Sequence, residues 1–508
     1  MSEEIRALIF IAVIVSVPLF LFLRYSSSEG LKRDVKIWIS VWVFTTLLAF
    51  LAPNFWIYAV ILSIFLIFLT RNKPILKLCL FFLLLPSIPA ATVMVPGFGI
   101  INYFIYTGPH HVIILVLLLP LLISGRRGLN ATKSVNILAF VYFLLLAGIA
   151  FRDTNVTNAL RFTTITALAT IIPFYAVGRS VHNTDDLKKI MFAAILGIFL
   201  QSVIGIAETL KGWHLYNGAI NSLGLRWGVG NYLSRNNLLR ASAALGHPIV
   251  LGYISAIGLG LFLYFYPKAQ KRMRQQYWIG VAVFIGGLLA SLSRGPWVGA
   301  FTMILVFFLT GQKAVGKLSK FLVAGFLILA LLSTTQAGKS FVELIPFVSS
   351  DENIHAVSTI SYRQQLLDQS WIVIKRNPFF GSANYMDAPE METMRQGEGI
   401  IDIVNSYLQI ALSNGLIGLG LFLSIFASIL YKMYKLMPTL KQNIKFRDLL
   451  LMDRALFATI IGVMVTIFTM SSISISQQYY WSLLGLACAF IRIAKTELLN
   501  HILETNRR

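Results

Sequence analysis

Long apolar runs alternate with short polar connections from one end of the chain to the other. The runs fall at about 5–23, 35–52, 55–70, 75–92, 111–124, 135–150, 160–178, 187–207, 247–266, 277–292, 296–311, 318–334, 404–431, 455–475 and 478–493. Each reaches or approaches the length of apolar helix that a bilayer requires. The pattern predicts an all-α, polytopic transmembrane helix bundle of about 14–15 spans, forming a single membrane domain over 1–508. Two connections are long, 208–246 and 335–403, and the second is expected to contain short helices.

Composition agrees. Hydrophobic residues make up 57% of the 508 positions and charged residues only 13%, too little polar surface to cover a soluble core of this size. Cys79 and Cys488 both fall inside apolar runs and read as packing residues. The opening MSEEIR lacks a basic n-region and a small-residue cleavage site, so it is expected to remain in the mature protein.

Charge then orients the bundle. The net charge is +22, and 30 of the 43 Lys and Arg residues lie in alternate connections: 24–36, 71–77, 126–133, 179–189, 268–274, 313–320, 432–454 and the C-terminal tail. By the positive-inside rule these connections are cytoplasmic. The C-terminus is then expected inside, and the long connections 208–246 and 335–403 outside, in the periplasm of a bacterial inner membrane. Because the basic excess has a topological cause, nucleic acid is not expected as a partner.

The outer connections hold the polar residues that break the pattern. In 335–403, residues 361–375 read as a helix ended by Asn377-Pro378, with Arg363 in line with Leu367, Ser370 and Ile374. An arginine there faces a pocket or a lipid phosphate, or snorkels from an interfacial helix; spacing does not separate these. Gly381, just beyond, reads as a loop glycine, and Pro96-Gly97-Phe98-Gly99 as a turn between spans.

Two further arginines stand at membrane edges. Arg240 opens Arg240-Ala-Ser-Ala-Ala-Leu-Gly-His247-Pro248, and Arg294 sits in Ser291-Leu-Ser293-Arg294-Gly295-Pro296. The planar guanidinium fork suits phosphate or diphosphate oxygens, although a lone arginine at a helix end also anchors in the headgroup layer. Asp402, Asn405 and Gln409 are spaced to share one face where a span begins. Polar groups entering a membrane in register line a cavity, and a carboxylate among them suits general-base work on a hydroxyl; a dipole-favoured helix start is the alternative. His247 and His355 are further base candidates, with Glu208 and Glu398 behind them. There is no Walker loop, HExxH or CxxC pair, so no cofactor or metal is expected.

In combination these motifs resemble the O-antigen ligase and polysaccharide polymerase family. The resemblance rests on Arg240…Gly246-His247-Pro248, Leu292-Ser293-Arg294-Gly295, Arg363 with Asn377-Pro378-Phe379-Phe380-Gly381, and Asn405-Ser406-Tyr407-Leu408…Asn414-Gly415-Leu416-Ile417-Gly418, over about 200–430. It implies a metal-independent, inverting glycosyltransferase whose donor is a glycan on undecaprenyl diphosphate, acting beside membrane lipid and other polysaccharide-assembly proteins. It implies catalytic roles for Asp402, Arg294 and Arg240, and substrate binding by Arg363, His247, Asn405, Tyr407 and Gln409. Ligases of the family carry histidine directly before the asparagine; here that position is Val404. The departure favours a repeat-unit polymerase making exopolysaccharide or O-antigen over a ligase that transfers glycan to lipid A core. A transporter of lipid-linked sugar is the competing class. Such proteins show related halves and midplane charges, whereas the polar outliers here gather at one membrane edge.

Overall fold

A computed structural model describes residues 2–25, 29–99, 101–124, 130–152, 155–227, 234–235, 238–268, 274–311, 316, 319, 354–395, 399–473 and 475–506. The expected span 318–334 apart from residue 319, the segment 335–353, Glu398 and the His355 side chain lie outside them.

The architecture is a helix bundle. Its elements run α1 Glu3–Tyr25, α2 Glu29–Leu51, α3 Phe55–Thr70, α4 Pro74–Leu84, β1 Val93–Pro96, β2 Tyr103–Thr107, α5 Pro109–Ile113 and α6 Leu119–Ser124. There follow α7 Lys133–Ile149, α8 Val156–Ala169, α9 Ile171–Ser180, α10 Thr184–Lys211, α11 Asn217–Ser222, β3 Ser234–Arg235, β4 Leu238–Leu239, α12 Pro248–Phe262, α13 Arg274–Ala290 and α14 Arg294–Leu309. The chain closes with α15 Ile354–Arg376, α16 Pro389–Glu392, α17 Ser406–Gln442, α18 Arg447–Ile467 and α19 Ser476–Asn506.

Seven helical segments are long and apolar enough to cross a membrane, and five shorter apolar helices accompany them among the described residues. The protein is therefore a multi-pass membrane protein. The shorter helices coincide with expected spans 55–70, 75–92, 111–124, 135–150 and 296–311, but carry less than a full bilayer length of regular helix. α5 and α6 are joined by a π-helical turn at Ile114–Leu118. Cys79 and Cys488 are both free and buried, packed in the core.

The connections meet in two sets that follow the charge alternation. In the Lys/Arg-rich set, Lys189 pairs with Asp34 at 2.7 Å and Lys188 with Asp448 at 2.8 Å, and Arg492 donates to the carbonyl of Val181. In the other set, the Arg226 amide donates to Thr92 O at 2.8 Å, Ala90 to Ala244 O at 2.8 Å and Ala241 to Ala290 O at 3.0 Å. Trp213 Nε1 donates to Glu3 Oε1 at 3.1 Å, tying the start of α1 to the same end.

Close helix approach fixes that end. At Gly299 of α14 a Cβ would lie 1.9 Å from Thr466 Oγ1, and at Gly462 of α18 one would lie 2.0 Å from Met303 Cγ. Small residues let the two backbones meet, as packing in lipid requires. The contact seats the N-terminus of α14, with Arg294, beside the stretch that follows α18.

Candidate functional site

The second set of connections builds one polar site. The turn Ser291–Ser293 between α13 and α14 is its base. Leu292 there has φ +46°, a left-handed conformation that costs about 1 kcal/mol or more for a branched side chain and persists where its surroundings hold it. The strained turn presents two successive carbonyls to two arginines. Arg235 Nη1 donates to Leu292 O at 2.9 Å, and Arg240 Nε reaches Ser291 O at 3.4 Å. Arg240 Nη2 donates to Ser293 Oγ at 2.9 Å. Ser293 is also the N-cap residue of α14.

Arg294 opens α14, where the free amides of a helix start already favour an anion. Its Nε is buried and has no hydrogen-bond partner among the described residues. Arg363 approaches from α15, its Nη2 3.4 Å from Thr469 O, and Gly295 packs against Thr469 from the other side.

The four guanidinium groups feel one another. Burial, then Arg235, pulls Arg240 down to about 10, which still leaves it cationic at neutral pH. Arg235 is lowered by burial and by Arg294; Arg363 is lowered by burial and by Arg294, against an opposing pull from Asp402. Mutually repelling, partly desolvated cations are held together by the fold, and a dianion between them would relieve the strain.

Asp402 supplies the carboxylate. It retains an exposed surface, yet its recessed position raises its pKa above the usual carboxylate range, with Arg363 pulling the other way. It does not share a helical face with Asn405 and Gln409 as the spacing suggested. α17 begins at Ser406, and Asn405 caps it by accepting from the amides of Tyr407 at 3.0 Å and Leu408 at 3.2 Å. Asp402 lies in the extended segment before the cap, where Tyr362 of α15 donates to its carbonyl at 3.1 Å. Asparagine competes too well for free amides to be passed through as a helix interior.

The remaining expected residues divide. His247 is the N-cap of α12, its Nδ1 accepting from Ile249 N at 3.1 Å. Burial, with Arg240 nearby, pushes it down to about 4, so the neutral ring carries its proton on Nε2 and is a donor. Tyr407 points its hydroxyl to Met464 O at 2.8 Å and packs among Phe422 and Phe468, away from the arginines. Gln409 accepts from Ser472 N at 3.3 Å and also bonds Tyr385, bracing α17 against the loop after α18. Glu208 is fully buried and structural: its oxygens accept from the amides of Leu215 at 2.9 Å, Ser242 at 3.0 Å and Ala243 at 2.8 Å.

Two residues escaped the sequence reading. Arg235 had no motif around it; only the short pairing of β3 with β4 brings it to Leu292. Arg152 donates through Nη1 to Phe380 O and through Nη2 to Ser413 O at 2.6 Å, holding the turn after α15 against α17. Its only sequence signal was a cation outside the basic connections.

Compared with known families, residues 279–423 match the model described as O-antigen ligase. The match covers 145 of the 508 residues. The matched stretch contains Arg294, Arg363, Asp402 and the cap of α17; Arg235, Arg240 and His247 lie before it, the two arginines joining it through the turn at Ser291–Ser293. No curated protein matches the chain significantly. The match associates residues 279–423 with glycosyl transfer on lipid-linked glycan.

Within the long connection, the helix expected at 361–375 is present and longer. α15 extends over Ile354–Arg376, and its buried face is Leu366, Ser370, Val373 and Ile374. Leu367, placed on that face by spacing, is exposed instead, because the helix rests on the segments 385–394 and 401–412 along its Leu366 edge.

Proposed function

We propose that the protein polymerises oligosaccharide repeat units carried on undecaprenyl diphosphate, at the periplasmic face of a bacterial inner membrane. The observation that carries this reading is the gathering of Arg235, Arg240 and Arg294 at one turn, with Arg363 coupled to Arg294 and to the carboxylate of Asp402. A diphosphate is the leaving group such a cluster suits. In the transfer, Asp402 takes the proton of the acceptor hydroxyl as its oxygen attacks the anomeric carbon. The bond from that carbon to the phosphate oxygen breaks, and its electron pair leaves with the lipid diphosphate. Preorganised arginines stabilise the charge that develops there, and an elevated pKa makes Asp402 a better base near neutrality. No metal has a part in this scheme. The charge alternation supports placing the site outside and the C-terminus in the cytoplasm.

A second reading has a specific observation behind it: the matched family is described as O-antigen ligase. The site serves either reaction, since both release the same lipid diphosphate; the acceptor separates them. Val404, where ligases of the family have histidine, supports the polymerase. The test is purified protein with a lipid-linked repeat unit, without nucleotide or metal, and Arg294→Ala alongside. A glycan ladder on the lipid, lost in the variant, supports polymerisation. Transfer only when lipid A core is supplied makes the protein a ligase, and no transfer to either refutes both.

A further inference from the structure

The turn after α15 carries two phenylalanines that no other described residue covers. Phe379 is 66% exposed and Phe380 50%, in the middle of the long polar connection. In water such a pair is a liability, yet the backbone around it is arranged as though water were absent. Gly415, at φ +69°, breaks α17 and frees amides and carbonyls on either side of the break. The turn fills them: Leu416 N donates to Pro378 O at 2.7 Å, Ile417 N to Phe379 O at 3.3 Å and Ser382 N to Leu412 O at 2.8 Å. Arg152 completes the set with Phe380 O and Ser413 O. Every carbonyl from Pro378 to Phe380 thus has a donor from the bundle. Irregular backbone tolerates hydrocarbon only on that condition.

The surroundings are apolar and exposed. Phe379 and Phe380 sit beside the exposed Leu416 and Ile417 of α17 and beside Phe151, which precedes Arg152. Trp371, two turns back along α15, is half exposed with Lys375 Nζ 5.8 Å from its ring centroid, an aromatic and a cation of the kind that settle at the headgroup level.

We propose that Pro378–Gly381 is a membrane-inserted anchor, with Phe379 and Phe380 in the acyl layer against α17 and Arg152 as the clamp that keeps its backbone satisfied there. The partner is the hydrocarbon of the surrounding bilayer. The anchor fixes the C-terminal end of α15 in the membrane, and with it the height of Arg363, about 20 Å along the helix. It does not depend on the reaction assigned above, and the experiment reads no activity.

The experiment places a nitroxide label at Phe380→Cys in the full-length protein, reconstituted into phosphatidylethanolamine–phosphatidylglycerol vesicles, with Met386→Cys as the aqueous reference. Met386 is 41% exposed and lies on the same arm beyond the anchor. Wild type, whose two cysteines are buried, gives the labelling blank. Collision with oxygen relative to a water-soluble nickel chelate is measured for each label. The expected result is a ratio at least fivefold higher at position 380 than at 386, falling towards the reference when Arg152→Gln is added. A ratio at 380 equal to the reference overturns the anchor, and a label unmoved by Arg152→Gln overturns the clamp. Where Phe380→Cys does not fold, Phe379→Cys is read by the same criteria.

Discussion

Arg240 donates through Nη2 to Ser293 Oγ at 2.9 Å, and Ser293 in turn donates to the Ser291 carbonyl at 2.9 Å. A hydroxyl fixed in both directions orients one arginine while its own residue positions the next, Arg294. Ser293→Ala removes the acceptor and keeps both charges. Losing one such hydrogen bond costs about 1 kcal/mol, so kcat/KM for glycan transfer is expected to fall roughly five- to tenfold. The melting temperature in detergent is expected to stay unchanged, and a loss below twofold would detach Ser293 from the site.

The pH dependence follows from Asp402. Burial raises its pKa and Arg363 lowers it. A general base acts ionised, so turnover rises as pH climbs through that pKa. Arg363→Gln removes the cation that favours the ionised form, and the pKa rises further. The acid limb of the kcat/KM profile is therefore expected to move to higher pH in Arg363→Gln and to vanish with most of the activity in Asp402→Asn. A limb that stays in place without Arg363 would show that the two groups are uncoupled in the working enzyme.

Two glycines of α17 should respond oppositely to alanine. At Gly415 φ is +69° and a Cβ would stand 2.2 Å from Phe379 O, a backbone atom that cannot move without opening the anchor. At Gly420 nothing lies within 4 Å. Gly415→Ala is expected to destabilise by about 3 kcal/mol or more, and Gly420→Ala to remain within about 1 kcal/mol of wild type. Thermal unfolding of the pair in one detergent checks this; equal melting temperatures would contradict the break at Gly415.

Glu208 carries a structural prediction. Its carboxylate accepts three amides that would otherwise be buried and unpaired, two of them, Ser242 and Ala243, just after Arg240. Glu208→Ala strands all three, at about 1–3 kcal/mol each before relaxation. Limited proteolysis is expected to cut 212–246 readily in the variant and slowly in wild type. Resistance equal to wild type would mean that the loop is held by other contacts.

Much of this protein is written in short-range pattern. Hydropathy places the membrane helices because every bilayer crossing obeys the same solvent rule, whatever packs beside it. α10, with its long apolar run and Asn183 cap, is legible on that basis alone. Arg240, Arg294, Arg363 and Asp402 stood out because each is costly at a membrane edge, and the fold gathers them at one end. The errors share one cause. Asp402 was placed on a helix that Asn405 caps three residues later, and Leu367 was given the buried edge that Leu366 occupies. Both turn on local contacts that periodicity averages over.

Which distant groups meet is set by packing. Arg152 and Phe380 are 228 residues apart, Arg235 and Leu292 57, Arg363 and Thr469 106. No spacing encodes these pairings. They arise because helix packing at small residues brings particular connections to one end of the bundle, where freed carbonyls need donors. Local pattern alone specifies a membrane-spanning helical protein with few cations outside its basic connections. The assembled bundle brings Arg235, Arg240 and Arg294 to one turn with Arg363 coupled to Arg294, and sets Arg152 to clamp a loop against a broken helix.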